Sequence, residues 1–144
     1  MEPRRVEHNQ RIPSELAATK GVVDRFMIDL ERQEYDSATA FALALGFCEA
    51  VANAFNHGNQ RDPAKSITVC YRLDTNRAEL EVRDEGSGFD PCQIPDATTD
   101  DGIDRPGGRG VLLMRTYFDD VQFLLGGRGV RLTKQVAPTN ERAA

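Results

Sequence analysis

Asp84-Glu85-Gly86-Ser87-Gly88-Phe89-Asp90 packs three carboxylates around two glycines. Glycine at 86 and 88 permits a positive φ and a close approach of main chain to a flat ring or a phosphate. Asp84 continues the alternation of Ala78, Leu80 and Val82, which puts it on their apolar side. A carboxylate at the floor of such a slot can accept the exocyclic amine of adenine. Taken alone, the segment reads more readily as a glycine turn with a solvated Asp84, since short glycine motifs recur by chance.

Two further groups could complete a nucleotide site. Glu49 and Asn53 are four residues apart, which places them on one face of a helix that is otherwise apolar. Burying a carboxylate costs several kcal/mol unless it is paired or ligated, so the placement asks for a reason. The Asn53 amide oxygen suits Mg²⁺, which takes few protein oxygens and fills its shell with water and phosphate. Glu49 suits a general base that orients or deprotonates a nucleophile. Periodicity leaves open the alternative that Glu49 lies on a solvent-facing helix edge.

Gly107-Gly108-Arg109-Gly110 is the other group, and it opens a short helix. Free amides at a helix N-terminus carry partial positive charge and bind phosphate, and successive ones form an anion nest. Arg109 can add a charge-assisted contact to a phosphate or an acidic partner. The competing reading is a plain loop ahead of a helix. The cluster lacks the Gly-Lys-Ser/Thr ending of a phosphate-binding loop, and it is not a Rossmann fingerprint after a first strand.

Residues 1–11 are polar and read as a frayed tail or an edge strand. Ser14 is placed to cap a helix that runs to about residue 33, with Leu16, Val23, Phe26, Met27 and Leu30 near helical spacing. Asp36 or Ser37 caps a second helix over about 38–57, apolar on several faces and therefore expected to be buried. Strict alternation of Ile67, Val69, Tyr71, Leu73 and then Ala78, Leu80, Val82 predicts an antiparallel hairpin turning at Asp74-Thr75-Asn76. Residues 91–106 carry no core pattern and form a long loop. A short helix over 110–118, a strand through Val121, Phe123 and Leu125, and a closing strand through Val130 and Leu132 follow. The order predicts a two-layer α+β sandwich with a mixed, mostly antiparallel sheet and helices on one face.

The totals bound the answer. A chain of 144 residues is expected to form one domain with a real core. Net charge of −5 disfavours general affinity for nucleic acid. Cys48, Cys70 and Cys92 make no zinc-type cluster; the first two read as reduced core residues. The N-terminal ten residues lack a signal-peptide core, and the apolar run over 40–48 stops at Glu49, short of a membrane span. A cytoplasmic protein is the expectation. His57 is expected to cap the second helix or pack in the core, and no order of residues suggests a hydrolytic triad.

Glu49-Ala50-Val51-Ala52-Asn53-Ala54 with His57-Gly58 resembles the N box of the GHKL (Bergerat) ATP-binding superfamily. Asp84 to Asp90 resembles its first glycine box, and Gly108-Arg109-Gly110-Val111-Leu112-Leu113-Met114 its second. The short chain and short lid are similar to the anti-sigma factor serine/threonine-protein kinases in particular. The resemblance covers about 13–134 of a single domain over 1–144, with polar tails.

That resemblance implies Glu49 as general base or water organiser and Asn53 as the Mg²⁺ ligand. It implies adenine recognition by Asp84, a path for the base past Gly86, Gly88 and Phe89, and phosphates lying along Gly108, Arg109, Gly110, Val111 and Leu112. Residues 91–106 would be the ATP lid. Two positions depart from the family pattern: Arg128 follows Gly127 where threonine is usual, and Ala52 precedes Asn53 where close relatives often have threonine. The function implied is ATP-dependent phosphorylation of an anti-sigma factor antagonist together with sequestration of a sigma factor, by a homodimer with no direct role for nucleic acid or membrane. The alternative is an ATP-binding regulatory interaction module without phosphoryl transfer.

Overall fold

A computed structural model describes residues 5–88 and 108–136. In chain order these form β1 (Val6–Pro13), α1 (Leu16–Glu31), α2 (Ser37–Asn53), a π-helical turn (Ala54–Gly58), β2 (Ser66–Leu73), β3 (Arg77–Arg83), α3 (Gly108–Tyr117), β4 (Asp120–Leu124) and β5 (Gly129–Gln135). The five strands form one sheet in the order β1-β2-β3-β5-β4, and every pairing is antiparallel. The expected mixed component is thus not seen among the described residues. The expected edge strand is: β1 pairs only with β2.

Alternation builds the sheet. Ile67, Val69, Tyr71 and Leu73 on β2 and Ala78, Leu80 and Val82 on β3 are all buried on one face. Asp74 turns the chain between them, its carboxylate accepting from the Asn76 and Arg77 amides at 3.0 and 2.8 Å. Among the described residues, the helices cover this face alone. Phe26 of α1 stacks on Phe47 of α2 at 4.1 Å between ring centroids, and Tyr71 meets Phe26 edge-on at 5.0 Å. Gly46 lets α2 approach the sheet end, since a β-carbon there would overlap the Phe118 ring. The opposite face is open and charged. Glu81 is nearly buried between the Arg83 and Arg131 guanidiniums, and Arg131 also contacts Glu79 at 3.7 Å.

Several local expectations are corrected. Ser14 does not cap α1: Glu15 occupies that position without a side-chain cap bond, while buried Ser14 ties the chain to Lys65 through its backbone N–H at 2.9 Å. The cap of α2 is Asp36, which accepts from the Thr39 amide at 2.8 Å. Leu16 and Met27 face outward, so the apolar stripe of α1 is narrower than its spacing suggested. Phe41 on α2 is 59% exposed and leans on Tyr117 of α3. Cys48 is exposed, and half-buried Cys70 lies on the open sheet face with its Sγ 3.1 Å from Asn9 Oδ1; neither is a core residue.

Residues Ser37–Gly58 together make a 22-residue helical stretch long and apolar enough to cross a membrane by length and composition, longer than the run over 40–48 indicated. Its Leu43, Phe47, Ala50 and Val51 are buried against the sheet, as in the core helix of an α+β protein.

Candidate functional site

Glu49 and Asn53 do share one face of α2, and that face is half-buried against α3. Gly110 marks the meeting point. A β-carbon on it would stand 2.9 Å from both Glu49 Oε2 and Asn53 Nδ2. A side chain at 110 would make both of these side-chain ends shift, so the second glycine cluster and the Glu49/Asn53 pair form one locus. Gly108 and Arg109 open α3 just ahead of it. Val111 is buried beneath this turn, while Leu112 is 37% exposed.

The Asp84 end of the site is built by a different pair of close approaches. After Asn53 the helix widens into the π-helical turn over Ala54–Gly58, a distortion common at functional sites. It delivers Gly58 directly against the end of β3. A β-carbon at Gly58 would overlap the Asp84 carboxylate, and one at Gly86 would overlap the Gly58 carbonyl. Asp84 is half-buried, its Oδ1 accepting from the Gly86 amide at 2.8 Å and its own amide donating to the Arg128 carbonyl at 2.7 Å. Burial pushes its carboxyl above the usual carboxylate range, against the pull of the Gly86 amide, Arg128 and Lys65. Gly88 adopts φ of 81°, the left-handed region, and any side chain there would overlap the Gly126 carbonyl.

The sequence reading therefore located residues that the fold brings together. It missed those that hold them. Asn59 lies outside every apolar pattern of the sequence, yet it is fully buried. Its Nδ2 donates to the Ser66 carbonyl at 2.9 Å, and its Oδ1 accepts from the Glu85 amide at 2.8 Å. Gly126 and the Arg128 carbonyl line the same corner. No local signal marks these, because their role arises from contacts across the sheet. His57 is exposed, so it is not a core histidine; it lies in the last turn of the π-helical segment. Phe89 and the lid over 91–106 lie outside the described residues, as does Cys92.

The donor set fits a magnesium nucleotide. Among the described residues no group of three His, Cys, Asp or Glu side chains could hold a metal. A carboxylate and an amide converging on a helix start leave most of a Mg²⁺ shell to water and phosphate, as that ion prefers.

The chain is 31% identical over 98 residues to the anti-sigma F factor of Bacillus cytotoxicus, covering 64% of this chain and 66% of that protein. It is 30% identical over 98 residues to the anti-sigma F factor of Bacillus thuringiensis, with the same coverage. It thus spans just under two thirds of the length of these relatives. Its fold is similar to the crystal structure of the RsbU and RsbW domains of a Mycobacterium tuberculosis protein. That match has a TM-score of 0.58 and 13% identity and covers 92% of this chain and 33% of the other. The model of the histidine kinase-like ATPase domain matches residues 12–134, in which both glycine boxes and the Glu49/Asn53 pair fall, and this chain belongs to that family of ATP-binding domains.

Proposed function

We propose that the protein is an ATP-dependent serine/threonine-protein kinase of the anti-sigma type. It phosphorylates a Ser or Thr of a cytoplasmic anti-sigma factor antagonist and sequesters a sigma factor when that antagonist is modified. The observation that carries this reading is the convergence of Glu49 and Asn53 on Gly110, at the opposite end of the π-helical turn from Asp84. Such a placement fits a nucleotide lying with its base at Asp84 and its phosphates at the start of α3. The likeness to the anti-sigma F factors supports the choice of partner.

In this reading Asp84 accepts the adenine amine, and Gly58, Gly86 and Gly88 keep the slot free of side chains. The amides that open α3 face the phosphates. Asn53 would hold Mg²⁺, which neutralises phosphate charge when bound. Glu49 takes the proton of the substrate hydroxyl as that oxygen forms its bond to the γ-phosphorus and the bond to the β-phosphate oxygen breaks, leaving ADP. Mostly this is positioning, which is what phosphoryl transfer asks of a protein. In this reading the protein acts as a homodimer.

Transfer of label from γ-labelled ATP to a purified anti-sigma factor antagonist tests the proposal. Transfer by the native chain and its loss in Glu49→Gln are expected. Tight ATP binding with no transfer would instead make the protein an ATP-gated interaction module.

A further inference from the structure

Asn59 stands outside every apolar pattern of the sequence, yet no part of it is exposed. Both ends of its amide are used. The Nδ2 group donates to the Ser66 carbonyl, and Oδ1 accepts from the Glu85 amide. The Ser66 amide in turn donates to the Glu85 carboxylate. These three bonds close a ring through the end of the π-helical turn, the first residue of β2 and the residue beside Asp84. A buried amide with both ends satisfied is costly to disturb, because removing it leaves two backbone groups unpaired.

The ring acts on Asp84 from both directions. Gly58, next to Asn59 in the chain, lies against the Asp84 carboxylate and would displace it if it bore a side chain. Glu85, held by Asn59, follows Asp84 directly. Two further bonds hold Asp84: its amide donates to the Arg128 carbonyl at 2.7 Å, and its Oδ1 accepts from the Gly86 amide at 2.8 Å. Without the Asn59 link, the Glu85 amide loses its acceptor, and the peptide after Asp84 is tied to the start of β2 through the Glu85 side chain alone. A hydrogen bond to an amine weakens steeply with angle and with a few tenths of an ångström, so a loosened Asp84 loses selectivity before it loses its fold.

We propose that Asn59 is a positioning residue for base recognition. Through the ring with Ser66 and Glu85 it fixes where the Asp84 carboxylate stands, and so sets the preference for adenine over a base without the exocyclic amine. The inference rests on the adenine role of Asp84 given above.

Calorimetric Kd values for ATP and for inosine triphosphate, which lacks that amine, test it on the full chain. The native protein is expected to prefer ATP. Asn59→Ala should shrink that preference about tenfold, mainly by weakening ATP. Glu85→Gln keeps a carbonyl acceptor for the Ser66 amide and should retain the preference, while Glu85→Ala should reduce it. A purely structural role for Asn59 would weaken both nucleotides equally; an unchanged ratio in Asn59→Ala overturns the inference. If Asn59→Ala does not fold, Glu85→Ala opens the ring from its exposed side and decides by the same ratio. Asp84→Asn separates the two claims. If it abolishes the preference while Asn59→Ala and Glu85→Ala leave it intact, only the positioning role falls. If Asp84→Asn leaves the preference intact, the adenine role falls and the inference with it.

Discussion

At Asp84 the proposed recognition of adenine and the stability of the fold meet in one residue. Its carboxyl is raised by burial, so the folded state favours the protonated form. Its contribution to stability is therefore fully present below the ordinary carboxylate pKa and is lost as pH rises through the raised value. Asp84→Asn removes that loss. The ligand-free variant should melt above the native protein at neutral pH, with the gap closing on acidification. Its ATP affinity should fall by about 2 kcal/mol, or roughly thirtyfold, because an ionised acceptor is replaced by a neutral amide. Calorimetry and thermal melts over pH 4 to 8 read both effects; a lower melting temperature at neutral pH would show that burial does not dominate at Asp84. Gly110→Ala is a second residue-scale case. Its β-carbon would crowd Glu49 and Asn53 at 2.9 Å, so phosphoryl transfer should drop by about tenfold or more with little change in melting temperature.

Among the elements, α2 does two tasks at once. Its inner face anchors the core through Phe47, stacked on Phe26 and edge-on to Tyr71 at 5.8 Å. Its adjoining face carries Glu49 and Asn53 to α3. Phe47→Ala should cost about 3–5 kcal/mol, read by urea denaturation, since it empties a site with no exposure. Gly46→Ala forces a methyl into the Phe118 ring, an overpacking cost of about 1–3 kcal/mol. A neutral result in the same assay would mean that Phe118 can swing clear. The alternating pattern of β2 and β3 was legible because a period of two has one interpretation. The stripe of α1 was less so: Leu16 and Met27 fit helical spacing, but only the sheet's width decides how much of a helix it covers.

Across the whole molecule, one sheet face is apolar and covered while the other is laced with charge. Burial would raise Glu81, but hydrogen bonds from Arg83 and Arg131 outweigh it and hold its carboxyl below the usual range. That stabilisation is present above the ordinary carboxylate pKa and is lost as pH falls through the lowered one. Glu81→Ala should destabilise the protein by about 1 kcal/mol at neutral pH, modestly because both arginines remain partly solvated. A double-mutant cycle with Arg131→Ala measures the coupling, and zero coupling would make the network ornamental to stability.

By itself the sequence determined the element order, the antiparallel hairpin with its turn at Asp74, a cap at Asp36 or Ser37, and which residues make up the two glycine boxes and the Glu49/Asn53 pair. These depend on local periodicity and on which residues tolerate close backbone approach. Only the tertiary structure decided that Gly58 meets Asp84, that Gly110 meets Asn53, and that Asn59 is buried. The same holds for the exposed Cys48, the outward Cys70 and the uncapping Ser14. Each of those depends on which segments the sheet brings together from residues far apart in the chain, and no pattern within one segment encodes its neighbour's position.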